Sequence, residues 1–246
     1  MDRMIYTAMT GATALVNRQQ AIANNLANVS TNGFRAEMST YRSVPLQGAG
    51  ASTRVMALEA TAGHLETPGA MNSTGRNLDV AAVGNAYFAV QGLDGLEAYT
   101  RAGNLQVAVD GTLTSATGLP MLDEGGAPIA IPENSRVAIA ADGSVSAQVG
   151  NEPSQLLGRM KLVTPTEDVR IKRGNDGLYR AADGAPLPAD PDARLKDGML
   201  EGSNVNAIEA MVGMIAVARQ FEQQMRLLQT AEKNDQTAAQ LLGLNG

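Results

Sequence analysis

Apolar residues recur in alternating three- and four-residue steps near both ends of the chain, and this pair of helical stripes most constrains what the chain can become. From Met4 to Val29 there is no proline and a single glycine, and Ile5, Ala8, Ala12, Leu15, Gln19, Ile22, Leu26 and Val29 form one heptad seam. Asn28, Ser30, Thr31, Asn32 and Gly33 follow with the chemistry of a helix stop and turn. Toward the other end Met211, Met214, Ala218, Phe221, Met225 and Leu228 repeat the steps, and Ile208 and Ile215 widen the stripe. Ser203 or Asn204 is expected to cap this second helix, with Glu209 near its positive end, and the helix is expected to continue through Ala238, Leu241 and Leu242 to Gly243. Small Ala8 and Ala12 would allow close helix approach.

Between the seams the period changes to two. Leu105, Val107 and Val109 alternate before Asp110-Gly111; Val137 and Ile139 precede Asp142-Gly143, and Val145 and Val149 follow it. Further Asp-Gly pairs at 94–95, 176–177, 183–184 and 197–198, with prolines such as Pro120, Pro128 and Pro132, extend the strand-and-turn character. The expected architecture is therefore α+β: a helical assembly layer from residues 1–35 and 199–246, coiled-coil-like, around an antiparallel β-domain at 77–198. Residues 36–76 show no sustained period and read as an extended connector with short strands at most.

Composition narrows the function. With no cysteine, disulfides and thiolate metal sites are excluded. A net charge of −6, without a basic run, argues against nucleic acid as a partner. No stretch approaches the ~20 apolar residues of a membrane span, so no membrane insertion is expected. The start, Met1-Asp2-Arg3-Met4, does not read as a Sec signal peptide. The single histidine, His64, has no second histidine or cysteine nearby to build a metal site, and the pairs Asp123-Glu124 and Glu167-Asp168 read as solvated turns. Gly92-Leu93-Asp94-Gly95 and Gly125-Gly126 lack the lysine and helix of a phosphate cradle and read as hairpin turns. No catalytic residue, cofactor or metal is expected. Aromatic residues make up 3% of the chain and methionine reaches 12, which favours many weak helical contacts repeated over subunits.

Several stretches carry a family resemblance. Ala23-Asn24-Asn25-Leu26-Ala27-Asn28-Val29-Ser30-Thr31-Asn32-Gly33-Phe34-Arg35 resembles the signature that follows the first helix of flagellar rod and hook proteins. Leu200-Glu201-Gly202-Ser203-Asn204-Val205-Asn206 with Arg219-Gln220-Phe221-Glu222 resembles that family's C-terminal motif. Leu78-Asp79-Val80-Ala81, Tyr87-Phe88-Ala89-Val90, Tyr99-Thr100-Arg101-Ala102-Gly103-Asn104 and Gly111-Thr112-Leu113 agree in the middle, while Asn85-Ala86 departs from the acidic residue and glycine of many relatives. The opening residues and Gly33–Pro45 resemble the proximal-rod branch; the distal rod is the alternative.

The resemblance implies a structural rod subunit that transmits torque and is exported by the flagellar type III apparatus without a cleaved signal. Its implied place is the periplasm-spanning part of the basal body. Its partners would be that apparatus, copies of itself and other proximal and distal rod subunits. The assembly interface is expected at Ile5, Ala8, Ala12, Leu15, Ile22 and Leu26, and at Ile208, Met211, Ile215, Phe221 and Met225. Asn28, Gly33 and Phe34 would form the motif turn. A competing reading, a carbohydrate-active β-domain or a binding module, would require two converging carboxylates in a pocket or an exposed aromatic groove.

Overall fold

The proline-free, periodically apolar stretch at each end does fold as helix. The computed structural model describes residues 2–45, 55–166, 169, 171–174 and 176–243, and the surroundings of side chains within these apart from 2–7, 55–62, 235, 238, 239 and 241–243. Helix α1 spans Asp2–Ala27 and helix α2 spans Ala207–Gly243. The chain divides into two units, one holding residues 1–29, 36–65 and 205–246, the other residues 30–35 and 66–204.

In the first unit α1 and α2 pack antiparallel. Gln224 Nε2 donates to the Ala8 carbonyl at 3.0 Å, and a side chain at Gly213 would meet Ile22 at 3.5 Å, so the numbering runs in opposite directions. The absent Cβ of Gly11 leaves room for Gln224, whose amide would lie 3.2 Å from it. The N-cap of α2 is Asn206, not Ser203 or Asn204: its Oδ1 accepts the amides of Ile208 and Glu209 at 3.1 and 3.4 Å. At the end of α1, Asn28 donates backbone and side-chain N–H groups to the Asn24 carbonyl, satisfying an acceptor that the helix leaves open.

Within the stretch read as a connector the structure forms a long antiparallel hairpin, β1 (Glu37–Pro45) with β2 (Val55–His64). Its register shifts between Thr40 and Tyr41. The hairpin is tied to α1 by polar groups: Asn25 exchanges side-chain bonds with both the amide and carbonyl of Glu37, at 2.7 and 2.9 Å, and the Tyr41 hydroxyl donates to the Ala14 carbonyl. The more covered positions of β1 include Glu37, Ser39 and Tyr41, which is why no apolar alternation announced it.

The second unit is antiparallel throughout its ladders. A five-stranded sheet runs in the order Leu162–Val163, Tyr87–Gln91, Glu97–Thr100, Tyr179–Ala181, Ile171–Arg173. A three-stranded sheet joins Gln155–Arg159, Ser144–Val149 and Ser135–Ile139. Two-stranded ladders pair Val80–Ala82 with Leu195–Asp197, Met71–Ser73 with Met199–Glu201, and Leu105–Val107 with Leu113–Ser115. The unit therefore takes in strands on both sides of the 77–198 span. Phe88 and Val90 face one core with Leu105, Leu113, Met121, Val145 and Met160, while Tyr87 and Ala89 face a second with Tyr99, Val163 and Tyr179. Successive residues point to opposite faces, so a strand buried on both shows the unbroken run Tyr87-Phe88-Ala89-Val90.

The Asp-Gly pairs behave as turn chemistry predicts. Glycine takes a positive φ in all six, between 63° and 90°. In five of them the aspartate side chain accepts the amide two residues on, as Asp110 does from Thr112 at 2.9 Å. Val107 and Val109 do not share the burial of Leu105, because the strand ends at Val107 and Val109 stands in the turn.

Candidate functional site

The expected interface residues fall into two groups. On α1, Ala12 is buried and Ala8, Leu15, Ile22 and Leu26 are half-buried; the side chain of Ile5 lies outside the described residues. On α2, Phe221 is half-buried, but Ile208, Met211 and Ile215 are 74%, 52% and 56% exposed, and Met225 is also exposed. The covered side of α2 comprises Ala210, Met214, Val217, Phe221, Gln224 and Leu228, spaced by four and three residues, with Val217 buried at 1%. Ile208, Met211, Val212 and Ile215 occupy the opposite side at 100° per residue, and form a contiguous apolar face open to solvent. Val217 was absent from the sequence-based seam.

Of the motif-turn residues, Asn28 ends α1 in the helical unit, and Gly33 and Phe34 belong to the β-unit. Gly33 has φ +70°, and its amide donates to the Glu201 carbonyl at 2.8 Å. Phe34 is buried, with the Arg173 guanidinium 4.4 Å above its ring. Arg35 then points its guanidinium inward, where it meets the carboxylate of Glu201 at 2.9 Å. The other oxygen of that carboxylate takes Nε of Arg101 at 2.8 Å, and Nη2 as well. All three side chains are at most 1% exposed.

Every remaining donor of Arg101 is used. Nη1 reaches the carbonyls of Gly84 and Ala86 at 2.7 and 2.6 Å, and Nη2 that of Ala82 at 3.0 Å. Arg35 Nη1 holds the carbonyls of Glu66, at 2.9 Å, and Thr67. The Gly69 amide completes the shell of Glu201 at 3.0 Å. Burial, followed by the neighbouring Arg101 charge, lowers the pKa of Arg35, against the upward pull of Glu201. Tyr87 lies 5.5 Å from Arg101 and edge-on to Tyr179, and burial raises the pKa of both phenols. These three charges stand within the motif stretches that carried the family resemblance, each close to a glycine. Nothing in the spacing of Arg35, Arg101 and Glu201 announced that they meet.

A second buried pair, Lys161 with Glu97 at 2.8 Å, is joined by the Tyr99 hydroxyl, which donates to Glu97 and accepts the Leu187 amide. Asp123 and Glu124 serve local partners, the Ala127 amide and Arg159 respectively, and do not converge. Glu167 and Asp168 lie outside the described residues. His64 ends β2. Among the described residues no three His, Cys, Asp or Glu gather as a metal site, and no helix is long and apolar enough to cross a membrane.

Surface aspartates give this unit an acid limit. The backbone amide and then the hydroxyl of Ser144 hold the Asp142 carboxyl below its usual range; Arg180 does so for Asp176 and the Thr164 hydroxyl for Asp190. A depressed folded-state pKa contributes stability above the unfolded value, about 3.9, and loses it as pH falls through the folded value. Urea midpoints of the β-unit are thus expected to hold steady down to about pH 5 and drop below about pH 4. Asp142→Asn with Asp190→Asn should flatten that drop; an undiminished slope in the double variant would show that other carboxyls set it.

Comparison with known proteins agrees with the motif geometry. The family model "Flagella basal body rod protein" matches residues 5–35, "Flagellar hook protein FlgE/F/G D1 domain" matches 81–147, and "Flagellar basal body rod FlgEFG protein C-terminal" matches 196–241. The flagellar basal-body rod protein FlgF of Salmonella typhimurium is 45% identical over 254 residues, covering all of both chains, and that of Escherichia coli K12 is equally similar. The flagellar basal-body rod protein FlgG of Bacillus subtilis is 31% identical, covering 95% of this chain and 96% of its own. Arg35, Arg101 and Glu201 each fall inside one of the three matched stretches. On full-length similarity and on the motifs that its buried charges join, this chain belongs to the flagellar basal-body rod protein family.

Proposed function

We infer that this chain is a structural subunit of the bacterial flagellar basal-body rod, assembling with other rod or hook proteins through its terminal helices. The observation that carries the helical part of this reading is the solvent-facing stripe Ile208, Met211, Val212 and Ile215 on α2, opposite the side packed on α1. Four large apolar side chains in one exposed row oppose solubility unless a neighbour covers them. Helix faces spaced in threes and fours suit coiled-coil-like packing with such neighbours. The greater similarity to the FlgF proteins of Salmonella typhimurium and Escherichia coli than to the FlgG of Bacillus subtilis supports the proximal part of the rod. The terminal helices then serve assembly and the β-domain serves as the outer body, in a drive shaft that carries torque across the periplasm. Export through the flagellar type III apparatus, and the named interface residues on both helices, belong to the same proposal.

The experiment places charge on that stripe. Ile208→Asp with Ile215→Asp alters exposed positions, so far-UV circular dichroism and the urea midpoint should stay near wild type. Loss of two central interface anchors costs about 2 kcal/mol or more each, so incorporation into basal bodies and swimming should fail in cells carrying only the double variant. Wild-type swimming with intact rods would overturn the assignment of this face.

A further inference from the structure

The placement of charge in the β-unit bears on how that unit closes. Arg35 and Arg101 bring two guanidinium ions into the interior, and among the described residues the carboxylate that pairs with either is that of Glu201. Each cation also fixes a turn of backbone. Arg101 gathers the carbonyls of Ala82, Gly84 and Ala86, between the strands Val80–Ala82 and Tyr87–Gln91, and Arg35 gathers those of Glu66 and Thr67. Closing the core around these turns without Glu201 would strand two positive charges in a medium that solvates them poorly. Glu201 arrives late in the chain, 100 residues after Arg101, in a strand that pairs with Met71–Ser73.

We propose that Glu201 is the closing residue of the β-unit: the core strands from Val80 to Val163 do not reach their buried packing until the segment Met199–Gly202 docks. The proposal is independent of the rod assignment. A chain made from its N-terminus keeps its β-unit open until nearly all of that unit is available. A chain cut before Glu201 has no folded β-domain at all, however many of the core strands it retains. The loop closed by this contact is long, so the step is also entropically slow and sits naturally at the folding barrier.

The test is pulse-labelled hydrogen exchange during refolding of the full chain from urea. Three amides report docking of the closing segment: Gly33 and Gly69, bonded to the carbonyl and carboxylate of Glu201, and Gly202, bonded to the Ala70 carbonyl. Val80, Ala89, Leu113 and Met121 report the core through their bonds to Gly103, Lys161, Ile129 and Leu113. Both sets are expected to gain protection together, within about twofold in rate. Core amides protected about tenfold or more before the reporters would overturn the proposal. In full-length Glu201→Gln, core protection should slow by about tenfold or more, and adding Arg35→Met should recover at least about threefold by removing one uncompensated cation. Wild-type refolding of Glu201→Gln, or no recovery in the double variant, would show that the carboxylate fills space and does not control closure.

Discussion

Gly33→Val is expected to cost the β-unit most or all of its stability, seen as loss of the cooperative urea transition followed by circular dichroism. Two effects add. The backbone at Gly33 has φ +70°, a left-handed conformation that costs a residue with a Cβ about 1–2 kcal/mol and a β-branched one more. The greater penalty is steric. A Cβ there would lie 2.4 Å from the carbonyl carbon of Arg101, 2.5 Å from its oxygen and 2.6 Å from the Ala102 nitrogen, so backbone must move. Arg101 cannot move without dragging its guanidinium off Glu201 and the three carbonyls it holds. The sum approaches the ~5–15 kcal/mol that holds a domain of ordinary stability together. Gly33→Ala meets the same clash at Cβ with a smaller conformational penalty and should lie between. A valine variant with the wild-type midpoint would mean that the turn has a second backbone path clear of Arg101.

How much of this was legible in sequence depended on whether the partner was local. The helices were, because Pro-free stretches with periodic apolar residues need no distant information to be recognised. The inward side of α2 was not: Ile208, Met211, Val212, Met214, Ile215 and Val217 make one short segment apolar nearly all round, so periodicity could not tell the packed side from the open one. Contact with α1 makes that choice, and it selects Val217 over Met211. The Asp-Gly turns were legible because an aspartate side chain and a glycine φ are properties of two adjacent residues. The β1–β2 hairpin was hidden by its polar covered side, and its docking to α1 uses amide chemistry, Asn25 with Glu37, which leaves no periodic trace. The Arg35–Glu201–Arg101 cluster was hidden for the opposite reason. Its members are ordinary charged residues in motif stretches far apart in the chain, and only the pairing of Met199–Glu201 with Met71–Ser73 and the inward turn after Gly33 bring them to one point.

Arg101→Met poses a sharper question, because charge and hydrogen bonding predict opposite outcomes. Counting charge alone, two guanidiniums on one carboxylate leave an excess of one positive charge, and removing Arg101 leaves a balanced Arg35–Glu201 pair. On that argument the variant should be neutral or more stable, as replacement of buried ions by apolar side chains often is. Hydrogen bonding gives the other sign. Methionine supplies no donor to the carbonyls of Ala82, Gly84 and Ala86, all held now at 3.0 Å or less, and leaves one oxygen of Glu201 without its bonds. Each buried acceptor left unpaired costs about 1–3 kcal/mol, so the carbonyls of Ala82 and Ala86 together with the Glu201 oxygen outweigh the relief of one excess charge. A loss of about 3–5 kcal/mol in the urea unfolding free energy is expected, the range seen when a buried pair is broken. Arg101→Lys keeps the charge but not the planar fork that serves four acceptors, so it should recover little of the loss. Tyr87, 5.5 Å from the guanidinium, supplies a near-ultraviolet dichroism signal for the cluster itself. A methionine variant at or above wild-type stability would show that excess charge dominates this site and that Arg101 is retained at a cost to stability.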